Sequence, residues 1–270
     1  MTHSTLQEKN KREQDFHDGM AESINLDTLL VRESFESPTA IENRYAFSVM
    51  HPIQGKKILD LGCGAGETSV YFAIKGADVS ACDISAGFLG LAENLSKKHG
   101  VSLKLAQCAA EFLPWPDNQF DFVFGNGVLH HVDLEASCKE IYRVLRPRGK
   151  AVFIEPLPYN PVINIYRKMA KDVRTEDERP LTLTQIHSLK KIYSKVEHQE
   201  FWLFSLYLFI HFFLVKRWHP SKVRYWKKVI EVGPEFSGLF SKLQDLDHFA
   251  MKWLPFLRPL CWNTVIVAEK

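Results

Sequence analysis

Two carboxylates and three glycines carry the strongest chemical signal in this chain. The stretch Lys57-Ile58-Leu59-Asp60-Leu61-Gly62-Cys63-Gly64-Ala65-Gly66-Glu67-Thr68 runs from apolar residues into an acid, then into glycines at every second position. The apolar run has the composition of a buried parallel strand. The glycines permit a sharp turn and let a ligand touch bare backbone. A helix is expected near Gly66, with Glu67 at its positive end, Val70, Phe72, Ala73 and Ile74 on its apolar face, and Gly76 as its stop. A second acid, Asp83, closes the next apolar run. It falls roughly 20 residues on, where a ribose hydroxyl pair needs an acceptor. The pattern is D-x-G-x-G-x-G, not the G-x-G-x-x-G of a dinucleotide site, which disfavours an NAD(P)-binding oxidoreductase.

Two adjacent histidines form the second chemical group. Phe120 to Phe124 reads as a strand and runs into Gly125-Asn126-Gly127-Val128-Leu129-His130-His131-Val132. Ligands of open α/β sheets bind beyond the carboxyl ends of the strands, which is where this loop falls. Histidine is suited to take a proton near neutral pH; the alternative is that either ring caps or packs the loop. Glu155, ending a strand from Lys150, is similarly placed as a base or as a loop-capping carboxylate. Tyr166 and Arg167 lie on a helix opened by Asn160 and Pro161. They could enter the pocket, the tyrosine face steadying a cation and the arginine holding a carboxylate, or they could be lid surface.

The glycine spacing, Asp60 and Asp83 resemble the class I methyltransferases that use S-adenosylmethionine (SAM). Cys108-Ala109-Ala110-Glu111-Phe112-Leu113-Pro114-Trp115 resembles that family's loop G-D-A-E-x-L-P-F, and Asn126 to His131 its N-x-x-x-H-H element. The resemblance implies a SAM site made from Asp60, Gly62, Cys63, Gly64, Gly66, Asp83, Ile84, Ala109, Ala110, Glu111, Asn126, Gly127 and His131. Ala109 stands where the family's aspartate accepts from the adenine amine, so that contact is absent or supplied elsewhere. Catalytic candidates are His130, His131, Glu155 and Tyr166; substrate candidates are Asn126, His130, Tyr166 and Arg167. The implied activity is methyl transfer to oxygen or nitrogen of a small or medium-sized metabolite, apolar or carboxylate-bearing. Two alternatives keep SAM: cyclisation or transfer of its aminobutyrate part, releasing methylthioadenosine, and a non-catalytic SAM-binding protein.

These residues must be positioned by an alternating βα series. The expected fold is a doubly wound, mostly parallel, Rossmann-like sheet of seven strands with an inserted helical lid. Residues 1–54 form an N-terminal helical segment, 55–156 the SAM-binding core, 157–260 the lid with a sixth strand, and 261–270 the final strand. Within the core, Ser85 opens a helix, Val101 to Ala106 is a strand, and Asp133 opens a helix ended by a turn at Arg146-Pro147-Arg148-Gly149. Further on, Ser37 and Thr184 are expected helix caps, with a charged turn over Arg174 to Pro180 between α-helical stretches. Val196 to Trp202 and Thr264 to Ala268 are the last strands.

Composition sets the outer bounds. Of 270 residues 46% are hydrophobic, enough for a packed core, and a net charge of +2 gives no polyanion-binding surface. Nucleic acid is therefore not an expected partner; a monomer or homodimer is. The five cysteines form no C-x-x-C pair and read as buried thiols of a reducing cytosol, with no metal site. Residues 1–15 are polar without a signal-peptide core and are expected to fray; the expected location is cytoplasmic. The apolar run from Phe201 to Val215 is shorter than the roughly 20 residues of a membrane span. Lys216, Arg217 and Trp218 follow it. A buried lid helix, a homodimer surface and a peripheral membrane contact all fit that run.

Overall fold

The computed structural model describes residues 3–170, 175 and 178–270; Arg174 of the expected charged turn lies outside them. The strands are β1 (Lys57–Leu61), β2 (Asp78–Asp83), β3 (Lys104–Gln107), β4 (Phe120–Asn126), β5 (Leu145–Pro156), β6 (Lys195–Phe201) and β7 (Asn263–Glu269). The helices are α1 (His3–Ala21), α2 (Glu33–Glu36), α3 (Ile41–Met50), α4 (Glu67–Ile74), α5 (Ala86–Lys98), α6 (Leu134–Val144), α7 (Pro161–Met169), α8 (Leu183–Ser188), α9 (Tyr207–Leu214), α10 (Tyr225–Glu231) and α11 (Gly233–Trp253). The seven strands form one sheet in the order β3-β2-β1-β4-β5-β7-β6. Only β7 runs antiparallel to its neighbours. The expected seven-stranded, mostly parallel architecture is the one observed.

Both faces of the sheet are covered, so alternate residues of one strand feed opposite cores. Ile58 packs with Val79, Phe124 and Val152 on one side; Leu59 packs with Val123, Ala151 and Phe153 on the other. The strand order reverses at β1, whose neighbours are β2 and β4. Leu61 is in register with Cys82 on one side and Gly125 on the other. The acids ending β1 and β2 and the loop leaving β4 therefore meet along one edge of the sheet.

Side-chain caps fix where several helices begin. Ser85 accepts from the Phe88 N–H at 3.1 Å, Asp133 from Ala136 at 3.1 Å and Asn160 from Val162 at 2.8 Å. Four boundaries differ from expectation. Thr182, not Thr184, caps α8, because Gln185 at the third position completes a reciprocal capping box. Ser37 instead donates to the Ile230 carbonyl at 3.0 Å, joining the N-terminal segment to α10, and α3 begins at Ile41. Arg146–Gly149 is not a turn after α6 but an irregularity inside β5. Leu145 pairs with Phe120 and Lys150 with Phe122, while Arg148 takes φ 65°. Residues 3–15, expected to fray, are helical. The far end of α1 is anchored, since Asp18 accepts from the Ser85 hydroxyl at 2.5 Å and the Gly87 N–H at 3.0 Å. That carboxylate sits against the positive N-terminus of α5.

The apolar run after β6 is divided by a tight turn. Trp202, at φ 70°, leaves the strand, and α9 then buries Leu208, Phe209 and Phe212 while Tyr207, Phe213, Leu214 and Val215 face outward. Among the described residues no helix is long and apolar enough to cross a membrane. The turn depends on Asp247 of α11, which is buried. It accepts from the N–H groups of Leu203 (3.2 Å), Phe204 (2.5 Å) and Ser205 (3.4 Å) and from the Ser205 hydroxyl (2.6 Å). Leaving such donors unpaired costs about 1–3 kcal/mol each at most sites. Asp247→Ala is therefore expected to lower unfolding free energy by about 2–4 kcal/mol in a urea titration. A loss under 0.5 kcal/mol would mean the turn is held by other contacts.

Candidate active site

A cavity of about 1100 Å³ opens over the carboxyl edge of β1, β2 and β4. Its floor is the glycine loop, where Gly62, Gly64 and Gly66 hold φ of 65°, 52° and 90°, a region costly for other residues. The Cys63 N–H donates to the Cys82 carbonyl (2.9 Å) and the Gly64 N–H to Asp83 Oδ2 (2.9 Å). A Cβ on Gly64 would meet nothing within 4 Å. Gly64 therefore borders open space. Gly66 does not line the cavity: a Cβ there would lie 2.7 Å from that of Ala92, so its role is close packing of α4 on α5.

Burial governs the acids around this floor. Asp60 is buried and accepts from the Ser69 hydroxyl at 2.5 Å. Burial pushes its carboxyl up to about 7 against that hydrogen bond, and the Asp83 charge adds to the rise. Asp83 is raised for the same first reason, while the Ser85 and Gly64 N–H groups oppose it. Glu67, at the start of α4, is also raised by burial. Ile84, Cys108, Ala109, Ala110 and Glu111 form the adjoining wall. Glu111 Oε1 accepts from the Asp133 N–H at 2.8 Å, whereas its buried Oε2 has no hydrogen-bond partner among the described residues.

The loop after β4 hangs on Glu155. This carboxylate has no solvent exposure and does not line the cavity, which corrects its placement as a pocket-facing base. Oε1 accepts from the N–H groups of Val128 (3.0 Å) and Leu129 (2.7 Å). Oε2 lies 2.6 Å from His130 Nδ1. Glu155 thus caps the loop and orients the His130 ring, whose Nε2 side is directed toward the cavity and stands 3.4 Å from Glu178 Oε1.

His131 faces a partner that sequence reasoning missed. Glu13 Oε2 lies 3.2 Å from His131 Nδ1 and 3.4 Å from His17 Nε2. Glu13 and His17 are one turn apart on α1, and this E-x-x-x-H spacing was the available signal. Burial raises the Glu13 carboxyl, but the facing His131 and His17 rings prevail and hold it well below the usual carboxylate range. Burial lowers His131, against the pull of Glu13.

The remaining candidates form the roof. The Tyr166 ring packs 5.1 Å from that of Tyr225 and 5.7 Å from that of Phe209, and its hydroxyl accepts from the Tyr225 N–H at 3.4 Å. Arg167 donates to the Leu157 carbonyl (3.1 Å) and to Asn164 (2.9 Å). Both residues border the cavity, with Asn126 and Gly127 opposite. The sequence reading also missed Glu42 and Trp202, far apart in the chain but joined by a 2.8 Å bond from Trp202 Nε1. Both line the same cavity.

The Asp60 geometry predicts a pH dependence. A carboxyl raised in the folded state favours folding below its unfolded pKa and loses that contribution as pH rises through about 7. Thermal or urea unfolding between pH 5 and 7 should show a loss of up to about 1.4 kcal/mol per pH unit from this group. Asp60→Asn should flatten the curve; an unchanged slope would overturn the assignment.

Comparison with known proteins places this geometry. Residues 59–153 match a family model described as a methyltransferase domain. The chain is 29% identical to the sterol 24-C-methyltransferase of Gibberella zeae over 59% of its own length and 40% of that protein's. It is 32% identical to the ubiquinone/menaquinone biosynthesis C-methyltransferase of Cellvibrio japonicus, over 41% and 47% respectively. The matched part thus spans less than half of these curated relatives. The fold is similar to that of Haemonchus contortus phosphoethanolamine N-methyltransferase 2, which was solved with S-adenosylhomocysteine and phosphomonomethylethanolamine. The TM-score is 0.56 at 20% identity, covering 85% of this chain and 52% of that one. It is also similar to the YcgJ protein of Bacillus subtilis, with a TM-score of 0.53 at 19% identity, covering 84% and 98%. Residues 59–153, which carry the glycine loop, both acid-ended strands and the loop after β4, are a class I SAM-dependent methyltransferase domain.

Proposed function

We propose that this chain transfers a methyl group from SAM to a small or medium-sized acceptor held in the cavity between the glycine loop, α1 and the lid. The residues present fit the cofactor. Gly64 offers open space at the loop where a side chain would intrude, and Asp83 keeps a carboxylate at the end of β2. The unpartnered Oε2 of Glu111 is an acceptor on the wall where Ala109 replaces the family's aspartate. When bound, SAM supplies an electrophilic methyl group on a sulfonium. Asp83 would hold the ribose hydroxyls and the loop backbone the amino-acid part, while Cys108, Ala109 and Ala110 would pack against the adenine.

The observation that carries the reading is the Glu155–His130 pair beside this cavity, at 2.6 Å. Glu155, fixed by two backbone N–H groups, accepts the Nδ1 proton and so leaves Nε2 as the acceptor. His130 then takes a proton from the acceptor hydroxyl or amine at Nε2, the atom that also faces Glu178 Oε1 at 3.4 Å. Lid aromatics exclude water from this edge and hold the acceptor in line, which is much of the catalysis. The roof combines Trp202, Trp218 and Trp262 with Arg167, Lys222, Arg224 and Lys227, aromatic surface with polar and basic anchors of the kind small molecules occupy.

The test is incubation of purified protein with methyl-labelled SAM and a metabolite extract, followed by mass spectrometry. S-Adenosylhomocysteine and one labelled small molecule are expected; methylthioadenosine without acceptor would replace this reading by cyclisation. Asp83→Ala should weaken SAM binding about 10- to 150-fold, the loss of a charge-assisted pair. Gly64→Val should abolish it in calorimetry, and unchanged affinities would remove both residues from the cofactor site. With the acceptor in hand, His130→Gln should lower kcat about 10²- to 10⁴-fold while SAM affinity stays within twofold. A kcat preserved at pH 7 would end its role as base.

A further inference from the structure

The α1 side of the cavity holds a second ionisable cluster that the proposed methyl transfer does not use. Glu13, His17 and His131 each offer one ligand atom, and these atoms lie within 4.8 Å of one another. Glu13 Oε2 is 3.2 Å from one imidazole nitrogen and 3.4 Å from the other. Ligands bonded to one ion at about 2.0–2.2 Å stand about 3.0–3.4 Å apart, so two of the three edges already have the size of a coordination polyhedron. The Glu13 side chain is 5% exposed. Oε2 is faced by those two imidazole nitrogens, while Oε1 and His17 Nδ1 have no hydrogen-bond partner among the described residues. Buried carboxylates in folded proteins are paired or coordinate metals, and the groups that face this one are themselves metal ligands.

We propose that Glu13, His17 and His131 bind a divalent first-row transition ion, of the zinc, manganese or iron(II) class, with an open position toward the cavity. Two imidazoles and one carboxylate suit these ions rather than magnesium, which prefers oxygen ligands. Two ligands come from one helix face at i and i+4, and the third from the loop held by Glu155. All three line the cavity in which the acceptor would sit. The open position would take an oxygen of the acceptor, a phenol, enol or carboxylate. The ion would orient that oxygen and lower the pKa of a hydroxyl beside His130. This use of the ion rests on the methyl-transfer reading; the ion site itself does not.

The experiment is calorimetry of the chelator-treated full chain with Zn²⁺, Mn²⁺ and Mg²⁺, supported by the visible absorption of a Co²⁺ complex. One saturable site for Zn²⁺ is expected, with Mg²⁺ at least 100-fold weaker. His17→Ala and Glu13→Gln should each weaken Zn²⁺ binding at least tenfold while SAM affinity and melting temperature stay near wild type, which separates ligand loss from misfolding. Absence of a saturable site overturns the proposal. So does Zn²⁺ binding that survives both substitutions and disappears in Cys82→Ser or Cys108→Ser. Methylated product from metal-free protein, at an undiminished rate, would remove the ion from the reaction without touching the methyl-transfer reading. Zn²⁺ binding in a protein that never consumes SAM would do the reverse.

Discussion

A single carboxylate with no access to solvent organises the functional half of this molecule. Glu155 enters the interior on β5, and its two oxygens must find donors there or cost several kcal/mol. They find three: two backbone N–H groups of the loop after β4, and the His130 ring. Satisfying the acid therefore fixes the loop, and fixing the loop sets His130 and His131 side by side, with ring centroids 4.2 Å apart. His131 then meets Glu13, which docks α1 over the cavity. α1 is held at its other end by Asp18 on the N-terminus of α5. The closure of the N-terminal helix over the site is thus tied to the same interior charge as the candidate base.

The opposite wall follows a different electrostatic logic. Asp60, Asp83 and Glu67 surround the glycine loop, and burial raises all three. Burial penalises the charged form of each acid, and a cation arriving among them relieves part of that cost. SAM carries positive charge on both its sulfonium and its amino group. The floor is consequently matched to a cationic ligand before any specific contact is counted.

How much of this was legible in the sequence depended on whether the physics was local. The loop after β1 was readable because backbone conformation demanded glycine at Gly62, Gly64 and Gly66, and because apolar runs of strand length flank it. Ser85, Asp133 and Asn160 were readable as caps because each bonds within three residues of itself. Ser37 and Thr184 misled because composition marks several possible caps, and tertiary or reciprocal contacts choose among them. Glu155 read correctly as a loop-capping carboxylate in one of its two senses. Its burial behind His130, rather than in the cavity, follows from the sheet register. The Glu42–Trp202 and Glu13–His131 pairs join residues separated by most of the chain or by a whole domain core; the E-x-x-x-H spacing puts Glu13 and His17 on one helix face but does not announce their distant partner.

That division coincides with the division between shared and individual chemistry. The matched segment, 59–153, holds the glycine loop, Asp83 and both histidines, the residues proposed above for cofactor and proton handling. Glu13, His17, Glu42 and Asn43 come before it; Tyr166, Arg167, Trp202, Trp218 and Trp262 come after it. The relatives named above carry out C-methylation of a sterol or a quinone precursor, or N-methylation of a phosphobase, on the same kind of core. An acceptor is therefore selected by the walls a chain adds to that core. Here those walls combine the aromatic rings of Tyr166, Trp202, Trp218 and Trp262 with the basic residues Lys222, Arg224 and Lys227 and with a histidine–carboxylate cluster.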